Sequence, residues 1–147
     1  VTKFLLAVHV ITAIVAIGPV TVAASMFPPA ARAGRAGELK LLNRICKAYA
    51  ALGIAVPLFG MFTASSLGVL GDAWLITSIV LTALAAGVLV LQVLPGQERL
   101  VASVAADGPP AERSTTARLA ARTGLFNLLW AVVTVLMIVR PGSTTGA

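Results

Sequence analysis

Charge is scarce in this sequence. Charged side chains make up 11% of its 147 residues, and only five are acidic, against roughly 25% charged in soluble domains. With 59% hydrophobic residues, there is too little polar surface to cover a water-soluble domain of this length. A single cysteine, Cys46, rules out an intrachain disulfide. A single histidine rules out a site built from several imidazoles within one chain. Paired carboxylates, a Ser-His-Asp set and a phosphate-binding glycine loop are also missing, so the residues give an enzyme little support. The formal net charge of +6 would suit nucleic acid. However, the basic residues stand in short blocks beside apolar runs, a pattern that fits membrane topology and anionic lipid headgroups and argues against nucleic acid.

What the chain has is long apolar runs: Phe4 to Phe27, Ala48 to Leu70, Trp74 to Leu94, and Gly124 to Val139. The first three can span a hydrocarbon core of ~30 Å at 1.5 Å per residue. The fourth is shorter; Arg122 and Arg140 bracket 17 residues, about 26 Å of helix, and both arginines can snorkel outward. Lipid offers no partners to backbone groups, so these spans are helices, and no period-two strand pattern is present. The expected fold is all-α, one membrane domain over residues 1–147, a four-transmembrane-helix bundle. Its helices fall at about 3–27, 37–70, 74–106 with a break near 95, and 110–139, with a flexible tail over 141–147.

Five basic residues (Arg32, Arg35, Lys40, Arg44, Lys47) lie between the first two spans. Four more (Arg99, Arg113, Arg118, Arg122) lie between the last two, so alternate connections hold nine of the eleven. The turn between the second and third spans carries Asp72 and no base. The positive-inside rule therefore makes the basic connections cytoplasmic and puts both termini outside, an N-out/C-out pair of hairpins. Lys3, the apolar run after it, Val22 and Ala24 imitate a signal peptide. The basic excess follows this segment instead of preceding it, which predicts an uncleaved first helix.

Local punctuation refines the spans. Pro28-Pro29 is expected to end the first helix. Leu39, Leu42, Ile45 and Cys46 form an apolar stripe that begins the second helix against headgroups. Asp107-Gly108-Pro109-Pro110 breaks the chain before the last helix, which is expected to start near Pro110. Pro19 and Pro57 each remove a helix bond and can kink their helices. Gly53, Gly60, Ala64 and Gly68, and Ala83 with Gly87, are small-residue seams for close helix packing, inside one bundle or between two copies. Trp74 opens the third span as an interfacial anchor. Asn127, inside the fourth span, is expected to hydrogen-bond to another helix.

His9 is the one imidazole, placed in the outer half of the first span. Read as a site it is an axial or metal ligand; read blandly it donates to a neighbouring carbonyl or water. Lys3, Leu6, His9-Val10, Ala13 and Gly18 resemble the opening helix of a broad bacterial superfamily of small membrane bundles. It includes CopD-type copper resistance membrane domains and HemJ-type protoporphyrinogen oxidases. The resemblance runs best to an uncharacterised family of small four- to five-helix integral membrane proteins, and covers about the first 25 residues well. It implies the bacterial cytoplasmic membrane, and His9 as the counterpart of a haem ligand. Where these relatives often carry Trp before the glycine, this chain has Ala16 and Ile17.

With no second histidine, a haem b would need Met or Cys opposite His9. Met26 and Cys46 lie too far toward the basic side, which leaves Met61 or Met137. Copper would find the same sparse set. Three readings follow: a non-enzymatic accessory or scaffold bundle, alone or as a homo-oligomer or with a partner membrane protein; a haem- or copper-binding protein using His9; and a small transporter with a path near the Pro19 and Pro57 kinks. Transport is disfavoured because no acidic residue lies within a span.

Overall fold

The computed structural model describes residues 1–143. The expected tail falls partly outside the described residues, at 144–147. Described residues form helices joined by short turns, with no strand. In chain order the helices are α1 (Thr2–Arg32), α2 (Ala36–Leu52), α3 (Ala55–Leu67), α4 (Ala73–Val88), α5 (Leu94–Ala105) and α6 (Arg113–Val139), with a π-helical turn over Leu89–Val93 joining α4 to α5. Four continuous or near-continuous rods result, Thr2–Arg32, Ala36–Leu67, Ala73–Ala105 and Arg113–Val139, each long and apolar enough to cross a membrane. A four-rod helical bundle is the fold that the apolar runs predict.

Proline explains where the rods depart from the expected boundaries. Helix α1 does not stop at Pro28-Pro29 but runs through both to Arg32. The two missing N–H groups leave the carbonyls of Ala24 and Ser25 without their i+4 donors. Burial offsets that cost: Phe27, Ala30 and Ala31 are fully enclosed in the core. The second rod is not one helix. It breaks at Gly53-Ile54, four residues before Pro57, whose ring would strike the Gly53 carbonyl in a continuous helix. That carbonyl instead accepts the Val56 N–H at 3.1 Å. In the third rod the expected break near 95 is a widened π turn just ahead of Pro95, which keeps the rod going. The last helix begins at Arg113, with extended Glu112 before it, rather than at Pro110.

Helix α1 is the centre of the bundle. It packs against α2, α3 and α6, and touches α5; α2 also packs on α5, and α4 on α6. The main core gathers at the basic end, from Val20, Phe27, Leu39, Leu42, Cys46, Val93, Leu100, Leu119 and Phe126. There the two basic connections meet, with the Ala111 N–H donating to the Ala31 carbonyl at 3.3 Å. A smaller core of Ala64, Val69, Trp74 and Leu75, with Met137 against it, closes the opposite end. Gly68 ends α3 in the left-handed conformation at φ +72°, and the Val69 N–H returns to the Ala64 carbonyl.

Candidate functional site

His9 stands on the face of α1 that meets α3. Its Nδ1 lies 2.9 Å from the Val56 carbonyl oxygen. A carbonyl only accepts, so the proton is on Nδ1 and the ring donates. The imidazole rests on Gly60, one helical turn further along α3. A Cβ added there would come within 3.0 Å of His9 Cε1 and 3.3 Å of Nδ1. Gly60 is thus the missing side chain that makes room for the ring. This part of the Gly53–Gly68 seam is used inside the chain, between α1 and α3. Nε2 has no hydrogen-bond partner among the described residues; in metal-bound histidines that hold a carbonyl through Nδ1, it is the coordinating nitrogen.

The two methionines expected opposite His9 stand differently. Met61 follows Gly60 but is 45% exposed, and Met137 packs into the core at the Trp74 end. Met26 is also exposed, and Cys46 is buried in the main core. Among the described residues no three His, Cys, Asp or Glu side chains gather as a metal set. The donors the fold brings to His9 are therefore backbone, and a haem or copper there would rest on one imidazole.

Asn127 does not make the bond to another helix that its position suggests. Its Oδ1 is buried without a partner, as are Thr21 Oγ1, Thr123 Oγ1 and Trp130 Nε1. Thr21 is on α1 and the other three are on α6. Asn127 and Thr123 line a cleft of about 160 Å³ with Ala24, Ser25, Pro28, Ala120 and Gly124. Thr21 and Trp130 continue the same two helix faces by one turn.

Two polar groupings at the basic end were not singled out from the sequence. Asn43 Nδ2 donates to Gln97 Oε1 at 3.1 Å, and Gln97 Nε2 points to Cys46 Sγ at 3.5 Å, all of it buried between α2 and α5. The signal was a polar residue inside an apolar stripe: Asn43 with Leu39, Leu42 and Cys46, and Gln97 with Val93, Leu100 and Val104. Beside this network, Lys40, Asn43, Arg44, Lys47, Ala48 and Val101 line an open groove of about 500 Å³. Lys47 pairs with Glu98, whereas Lys40 and Arg44 have no acidic partner among the described residues.

Comparison with protein-family models, curated proteins and solved structures finds no match for this chain. Function therefore has to be argued from the site itself.

Proposed function

We propose that this chain is a non-enzymatic membrane bundle, an accessory or scaffold protein of the bacterial cytoplasmic membrane with both termini outside. One observation carries the reading. The lone imidazole is engaged in a helix–helix joint, donating to Val56 and seated on Gly60. Several hydroxyls within the helices likewise bond their own backbone: Thr12, Thr63, Thr77, Ser78, Thr82, Thr116 and Thr134 each reach the carbonyl four residues back. Unpaired Lys40 and Arg44 suit anionic headgroups on the cytoplasmic side. Ala83 is exposed and Gly87 has nothing within 4 Å of a built Cβ, so that seam is open to a second copy or a partner helix.

A second reading, a haem- or copper-binding protein, draws on one feature: Nδ1–H held by a carbonyl is the outer-shell bond that orients ligating histidines. The family resemblance of the first helix supports the same reading. An absorption spectrum of protein purified from membranes separates the two. The scaffold reading expects no Soret band and no bound copper; a Soret band lost in His9→Ala overturns it. Orientation is tested by a cysteine at Asp72 in a Cys46→Ala background. It should react with impermeant maleimide in intact cells, and protection there would reverse the topology.

A further inference from the structure

The unpartnered polar atoms between α1 and α6 stand out against the rest of the chain. Threonines inside apolar helices ordinarily bond the carbonyl four residues back, as Thr12, Thr63, Thr82 and Thr134 do here. Thr21 and Thr123 do not, although Thr123 is only 3% exposed. Asn127 Oδ1 and Trp130 Nε1 share their condition; Thr123 and Asn127 line the cleft between α1 and α6, and Thr21 and Trp130 lie one turn along the same helix faces. Two further acceptors arise from the sequence. Ala24 and Ser25 line the cleft, and Pro28 and Pro29, four residues on, lack the N–H groups their carbonyls would accept. A polar group buried in lipid without a partner is costly, so a cluster of them calls for an occupant.

The chemistry of the walls selects that occupant. No acidic or basic side chain lines the cleft, which disfavours a charged group inside it. The walls accept through Asn127 Oδ1, and the hydroxyls of Ser25 and Thr123 can donate or accept. Hydroxyl groups answer such a wall best, because each donates and accepts from one atom. A water takes about 30 Å³ of liquid volume, so the cleft has room for about five waters or one glycerol-sized polyol. Its place fits a headgroup: Pro28 is one turn from the end of α1, and Arg122, which directly precedes Thr123, has no ion pair among the described residues.

We propose that the α1–α6 cleft binds a neutral polyol group, the glycerol of a phosphatidylglycerol headgroup, with the lipid phosphate left to nearby arginine. This goes beyond the scaffold reading and does not depend on it. Trp130 is a built-in reporter once the other tryptophan is removed by Trp74→Phe. That variant is placed in nanodiscs of phosphatidylglycerol, of phosphatidic acid, which is anionic without the glycerol hydroxyls, or of phosphatidylcholine. Trp130 emission should differ in phosphatidylglycerol from the other two, and the difference should fall at least tenfold on adding Thr123→Val or Asn127→Leu. Circular dichroism checks that each variant remains helical, and Thr123→Val, an isostere, serves if Asn127→Leu does not fold. Saturable titration by free glycerol in phosphatidylcholine discs, lost in the same variants, would keep the polyol site but assign it to a free solute. Identical emission in all three lipids with no response to glycerol overturns the proposal. So does a lipid response that survives both substitutions, or one that follows protein concentration, which would mean that a second copy covers the cleft.

Discussion

Two faces of α1 handle polar side chains in opposite ways. Toward α3, His9 finds a carbonyl at 2.9 Å and a glycine to lie on, so donor and space are both accounted for. Toward α6, Thr123 and Asn127 line a cleft with polar atoms unmatched, and Thr21 and Trp130, one turn along the same helix faces, are unmatched as well. The first face has the form of a joint and the second that of a receptacle. The difference lies in what the partner helix offers. Helix α3 supplies a carbonyl beside its Gly53-Ile54 break, whereas α6 supplies side chains that themselves need partners.

The largest effect should come from filling the joint. Gly60→Leu drives a side chain into the His9 ring and should cost about 3 kcal/mol, the upper end for overpacking. Unfolding in mixed SDS micelles reads this, and an unchanged midpoint would mean that α3 can slide freely along α1. His9→Ala should cost about 2 kcal/mol, combining a half-buried hydrogen bond of ~1 kcal/mol with lost packing. His9→Gln, which keeps a donor, should recover part of this; equal losses in both variants would show that the bond to Val56 contributes nothing. On the other face the sign should reverse. In detergent without polyol or phosphatidylglycerol, Thr123→Val removes an unmatched hydroxyl and should stabilise by roughly 0.5–1 kcal/mol. A loss of stability there would mean that Thr123 is bonded after all, and the contrast between the two faces would fall.

The joint and the cleft were legible in the sequence to different degrees. His9 stood out because an imidazole inside an apolar run is rare, and the fold gives it a carbonyl to donate to, a contact that both the structural and the ligand reading share. Gly60 stood out as part of a small-residue seam, but nothing in the spacing showed that the ring of His9 would occupy it. Asn127 was visible as the odd residue of the fourth span, and a bond to another helix was the natural expectation. Thr21 and Thr123 were not singled out, since threonines in a membrane helix usually satisfy themselves locally. Pro28-Pro29 misled for a related reason: local rules end a helix there, and only the burial of Phe27, Ala30 and Ala31 carries it onward.

The sequence alone determined the number of rods, their approximate ends and the clustering of basic residues in alternate connections. Those properties depend on solvent and chain length, because lipid forces each apolar run to satisfy its own backbone. The tertiary structure decided which polar groups meet. Hydrogen bonds between helices depend on rotation and depth to within an ångström or two, and a pattern of apolar residues leaves both open. The same α1 that reads as one uniform apolar run therefore presents a completed contact on one side and an unanswered one on the other.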